Sequence, residues 1–147
     1  PEEVTKAFVI SPKKVNKPVL ATATEFVYNA GEQEIGFEAA FEEGVGAIGV
    51  NAATNAGRYT YSVKLQSANY IWSDDTTAAV DINWEIKKRE VAVPVVVGEF
   101  TYNAVPQTVS ITGFNADVMT KEGTEKSTNA GSFTLKFKLS NNFLVTS

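Results

Sequence analysis

The chain has 147 residues, 44% of them hydrophobic and 20% charged, with a formal net charge of −4. It contains neither cysteine nor histidine, which removes disulfide and thiol chemistry, the commonest general base, the commonest transition-metal ligand and the usual neutral-pH switch. No apolar run approaches the roughly 18 residues needed to cross a bilayer, so direct membrane insertion is not expected.

The chain opens on a leader, residues 1–16, in which Val4-Thr5-Lys6-Ala7-Phe8-Val9-Ile10 reads as one strand. Shorter strands are expected at 19–23, 26–28, 34–37 and 45–50. The stretch 37–43 is bracketed by Gly36, Gly44 and Gly46 and reads as a loop or irregular strand. From 59 to 66 the alternation is clean, with Tyr59, Tyr61, Val63 and Leu65 on one face and Thr60, Ser62, Lys64 and Gln66 on the other. Successive side chains of a strand point to opposite faces, so this pattern predicts a half-buried strand. Ser73-Asp74-Asp75-Thr76-Thr77 is a polar turn. After it, Val80, Ile82, Trp84 and Ile86 face inward on a closing strand.

Residues 87–91 hold no glycine, serine or proline, which predicts a stiff joint into the next strand. Further strands are expected at 93–97, 100–102, 108–112 and 117–121. A long strand at 133–140 follows, with Phe133, Leu135, Phe137 and Leu139 inward.

The second half repeats the first. Phe26-Val27-Tyr28-Asn29-Ala30 returns as Phe100-Thr101-Tyr102-Asn103-Ala104, Gln33 as Gln107, and Thr54-Asn55-Ala56-Gly57 as Thr128-Asn129-Ala130-Gly131, all at an offset of 74 residues. The expected organisation is a closing-strand-like leader at 1–16, one module at 17–86 and a second at 87–147. Each module is large enough for a small core of its own. Many short strands with regular turns predict an all-β fold of two tandem sandwiches.

The second module has no counterpart of the closing strand 80–86, which the offset would place at 154–160. The leader meanwhile resembles a closing strand, since Phe8-Val9-Ile10 followed by Lys13-Lys14 echoes Trp84-Glu85-Ile86 followed by Lys87-Lys88. Two arrangements meet this pattern. The chain is an excerpt of a longer array, as its start at Pro1 also suggests. Alternatively, Val4, Ala7, Phe8, Val9 and Ile10 form an assembly strand given to the second module of another copy, building a head-to-tail filament.

Residues 17–86 carry ten acids and three bases, and residues 87–147 five acids and seven bases. This asymmetry lacks the concentrated basic face that nucleic-acid binding needs, and it suits either head-to-tail contact or two unrelated solvated surfaces.

The run Phe26-Val27-Tyr28-Asn29, Gln33, Thr54-Asn55-Ala56-Gly57-Arg58-Tyr59, Asn69-Tyr70-Ile71-Trp72-Ser73-Asp74 and Trp84-Glu85-Ile86 resembles the tandem immunoglobulin-like (MBG-type) repeats of bacterial surface proteins and phage virion proteins. The resemblance spans the first module and three quarters of the second. It implies a non-enzymatic extracellular protein with a structural or adhesive role, as a spacer, a fibre subunit or a display module. The expected partners are other copies, neighbouring modules, or a glycan or host-surface ligand. No cofactor is expected.

An alternative function is carbohydrate or host-receptor binding, with Trp72, Asp74 and Asp75 as the surface-binding residues. Trp72, at the start of the Asp-rich turn, is the aromatic expected to reach the surface. Asp74 and Asp75 with loop carbonyls also form a candidate calcium site, although no Asp-x-Asp-x-Asp run is present. A paired-carboxylate hydrolase is disfavoured: Glu32 and Glu34 share a strand face, but Pro106 and Thr108 stand at the equivalent positions of the second module.

Overall fold

The structure is a computed structural model describing residues 1–146; Ser147, the last residue of the second expected module, lies outside the described residues. Among them the fold is all β, with no helix. The first repeat supplies β1 (Lys13–Val15), β2 (Glu25–Val27), β3 (Gln33–Glu34), β4 (Val45–Gly49), β5 (Ala52–Ala53), β6 (Gly57–Leu65), β7 (Tyr70–Trp72) and β8 (Val80–Lys87). The second supplies β9 (Arg89–Val91), β10 (Val95–Val97), β11 (Gln107–Thr108), β12 (Ser110–Thr112), β13 (Met119–Gly123), β14 (Lys126–Ser127), β15 (Leu135–Leu139) and β16 (Phe143–Val145).

By spatial contact the chain divides into two compact units. One comprises Pro1–Phe26, Glu32–Thr54 and Arg58–Glu85; the other comprises Val27–Gly31, Asn55–Gly57 and Ile86–Ser147. In the first repeat the strands order as β2-β8-β6-β4 in a four-stranded sheet, with β1-β7 and β3-β5 as two-stranded sheets. Val45 and Val63 from the larger sheet meet Val15 and Trp72 from the β1-β7 pair, and Phe37, Phe41, Tyr61 and Ile82 pack around them. The alternation that predicts β6 therefore aims its apolar face at a real core, and burial of that face is the main stabilising term.

In the second unit Val118 and Met119 are buried, and Phe114 lies 6.2 Å from Phe137 between ring centroids. The Tyr28 corner and the Asn55-Ala56-Gly57 turn belong to this unit as well. Phe143 meets the Tyr28 ring edge-on at 5.2 Å, and Asn142 Oδ1 accepts a hydrogen bond from the Ala56 amide at 2.7 Å.

The sequence repeat is also a repeat of backbone pairing. Gln33 pairs with Ala53 and Gln107 with Ser127, both antiparallel. Val45–Gly49 runs antiparallel to Tyr61–Leu65, and Met119–Gly123 antiparallel to Leu135–Leu139. Lys13 pairs in parallel with Tyr70, and Arg89 with Phe143. Ala30 and Ala104 take φ of 67° and 68°. Gly49 and Gly123 take φ of 109° and 124° where the Thr60 and Thr134 carbonyls come so close that a Cβ would sit 2.4 and 2.3 Å away. Only glycine meets both demands without strain.

Several expected elements are differently placed. Residues 19–23 form no continuous strand; Leu20 makes an isolated bridge to Phe37, and the Ala21 amide donates to Gly36. Part of the leader belongs to the first unit's own framework, because Lys13–Val15 is β1 and buries Val15 against Trp72. Residues 4–10 form no strand within the chain, and neither do 100–102. Phe133, expected inward, is 50% exposed, and β15 begins only at Leu135.

Candidate functional site

The expected surface-binding residues fall into two groups, one buried and one exposed. Trp72 has no exposed surface: parallel pairing of β7 with β1 brings Val15 over it, and its Nε1 donates to the Ala78 carbonyl at 2.8 Å. This corrects its expected place on the surface. The Asp-rich neighbours belong to an exposed turn, whereas the indole itself is core.

Asp74 and Asp75 are exposed, and each is tied to a lysine. Lys17 Nζ donates to Asp74 Oδ2 at 2.7 Å, and Lys14 Nζ lies 3.1 Å from Asp75 Oδ1. Asp74 Oδ1 also accepts from the Thr76 amide at 3.0 Å and from the Thr76 hydroxyl. The Lys17 bond, then the two Thr76 bonds, hold the Asp74 carboxyl down at about 2. The Asp75 amide closes the turn onto the Trp72 carbonyl at 2.8 Å, with Asp75 at φ 68°. The Asp74 carboxylate caps the turn, as Asx residues do, and the Asp75 backbone closes it. Among the described residues no group of three or more Asp or Glu side chains is gathered as a metal site.

The other predicted set, Val4, Ala7, Phe8, Val9 and Ile10, lies at the surface in one run. Phe8, Val9 and Ile10 are 85%, 84% and 86% exposed. Soluble chains seldom present so much contiguous apolar side chain without a use for it.

A second apolar feature lies in the second unit. Phe100, Val109, Thr124 and Phe133 contribute to the lining of a groove of about 440 Å³. Phe100 and Tyr102 are 51% and 61% exposed. In the first repeat the residues 74 positions earlier are Phe26, Ile35, Val50 and Tyr59. There Trp84 fills the space: its ring centre lies 5.9 Å from Phe26 and 4.9 Å from Tyr59, and its Nε1 donates to the Val50 carbonyl at 2.8 Å. Alternation alone puts Phe133 in the core and gives no sign of the groove. The available signal is that Phe100 and Phe133 stand 74 residues after Phe26 and Tyr59, the two rings that Trp84 meets.

No family model, curated protein or solved structure matches the chain.

Proposed function

We propose that this is a non-enzymatic, extracellular structural or adhesive protein. It is built of two immunoglobulin-like β-sandwich modules of the MBG type and serves as a spacer, fibre subunit or display module on a bacterial surface or virion. One observation carries the reading. What recurs is scaffold: the β3-β5 and β11-β14 pairs, the β4-β6 and β13-β15 pairs, the parallel β1-β7 and β9-β16 pairs, and the Gly49 and Gly123 approaches. A chain that duplicates strand pairings, turns and close backbone contacts has its selected features in architecture. The glycan-binding alternative loses its expected stacking residue, with Trp72 in the core.

Single-molecule pulling on the chain, held at its two ends, tests the mechanical role. Two cooperative unfolding events are expected, each releasing about 200–250 Å of chain for a module of some 60–70 residues. Smooth extension without discrete events would reject a mechanical module, and turnover in a hydrolase screen would reject the non-enzymatic reading.

A further inference from the structure

In the four-stranded sheet of the first repeat, β8 lies between β2 and β6. The pairing of β6 with β4 begins only at Tyr61, so the segment 57–60 has β8 as its sheet neighbour. Thr60 Oγ1 donates to Asn83 Oδ1 on β8 at 2.7 Å, and the Glu85 amide donates to the Thr24 carbonyl beside β2 at 2.9 Å. In the second repeat the counterparts of β2 and of 57–60 are residues 99–101 and 131–134. Neither segment is in a strand, although the remainder of β6 has its counterpart in β15. The β2-β8 and β8-β6 pairings of the first repeat thus have no counterpart among the described residues of the second. Among the described residues no strand lies between 99–101 and 131–134, and the groove opens there with Phe100 and Phe133 on its wall.

The leader carries the matching pattern. Lys13 and Arg89 hold equivalent places, each paired in parallel with the first residue of the strand that follows the long β6 or β15. Counting back from these two residues sets Val4 on Val80, Phe8 on Trp84 and Ile10 on Ile86. Trp84 and Ile86 are buried, whereas Phe8 and Ile10 are exposed. Thr5 and Ala7 then fall on Asp81 and Asn83, which face outward on β8. Lys6 falls on Ile82; its aliphatic stem can lie along apolar surface while the ammonium stays in water.

We propose that the groove of the second repeat accepts residues 4–10 of a second copy of this chain, in the place that β8 holds in the first repeat. Phe8 enters between Phe100 and Phe133, and the donated backbone pairs with 99–101 on one side and 131–134 on the other. Such β-augmentation satisfies exposed strand edges and covers apolar surface in one step. Because donor and acceptor are different surfaces of the same chain, the contact is heterologous and propagates head to tail. The proposal rests on the fibre-subunit form of the function above and specifies its partner, its strand and its register.

Sedimentation velocity of the 147-residue chain across a concentration range tests it, with Phe8→Glu and Phe133→Glu as variants. The wild type is expected to grow into open-ended species as concentration rises. Each variant alone stays at the chain mass of 15.9 kDa. A 1:1 mixture of the two variants stops at dimers, since only the intact leader of one fits the intact groove of the other. Phe8 is exposed, so Phe8→Glu leaves the monomer folded. A synthetic peptide of residues 1–16, added to the wild type, caps growth, and the same peptide carrying Phe8→Glu does not; this arm stands even where Phe133→Glu disturbs the second unit. Phe8→Trp supplies an indole N–H for the Thr124 carbonyl, as Trp84 does for Val50, and tightens assembly about fivefold. A wild type that stays monomeric at every concentration, or a Phe8→Glu chain that assembles like wild type, overturns the proposal. A monomer that still unfolds in two mechanical steps rejects the assembly alone and leaves the spacer standing.

Discussion

The indole N–H of Trp84 donates to the carbonyl of Val50 at 2.8 Å, so the last strand of the first repeat is bonded to the residue just beyond β4. Trp84 is 2% exposed, and the same ring meets Phe26 and Tyr59. Trp84→Ala is expected to cost about 3–5 kcal/mol, from lost burial and the cavity left behind. Trp84→Phe retains most of the packing but leaves the Val50 carbonyl without its donor, for about 1–3 kcal/mol. Urea unfolding of the two variants checks both the order and the size.

Gly49→Ala and Gly123→Ala place a methyl group against the Thr60 and Thr134 carbonyls in a backbone region that L residues rarely adopt. Each is expected to destabilise its own repeat by about 1–3 kcal/mol. Thermal melts of the two single variants should shift in the same direction. An unchanged melt for one of them would show that its repeat relaxes where the other does not.

Phe143 meets Tyr28 edge-on at 5.2 Å within the second unit. A double-mutant cycle with Tyr28→Ala and Phe143→Ala is expected to give a coupling of about 0.5–1.5 kcal/mol, the range for such aromatic pairs. Additive single-variant effects would mean that the two rings act independently.

Asp74 has its carboxyl lowered from 3.8 to about 2, chiefly by the Lys17 hydrogen bond and then by Thr76. A depressed carboxylate contributes stability that is present above its unfolded value and is lost as pH falls through the folded one. The stability difference between wild type and Asp74→Asn should therefore be constant above about pH 5 and shrink towards pH 2. The effect is small, because the pair is solvent-exposed and screened. Melting temperature against pH for the two proteins reads it directly. A difference that does not change with pH would remove the ionised Asp74 from the turn's stability.

Local chemistry made much of this protein legible in its sequence. Period-two alternation placed β6 and β8, because a half-buried strand needs apolar side chains on one face only. The 74-residue offset identified matching turns, and the structure carries that match into φ at Ala30 and Ala104 and into the glycine approaches at Gly49 and Gly123. Tertiary structure decided what depends on residues distant in the chain. Trp72 beside two aspartates reads as surface until β1 pairs in parallel with β7 and covers it, a contact between segments more than 50 residues apart. Phe133 reads as core by alternation, yet alternation reports only which side chains share a face and not whether a neighbour covers that face. Trp84 covers the equivalent face in the first repeat. Among the described residues nothing covers it in the second, so Phe100 and Phe133 line an open groove instead of a core.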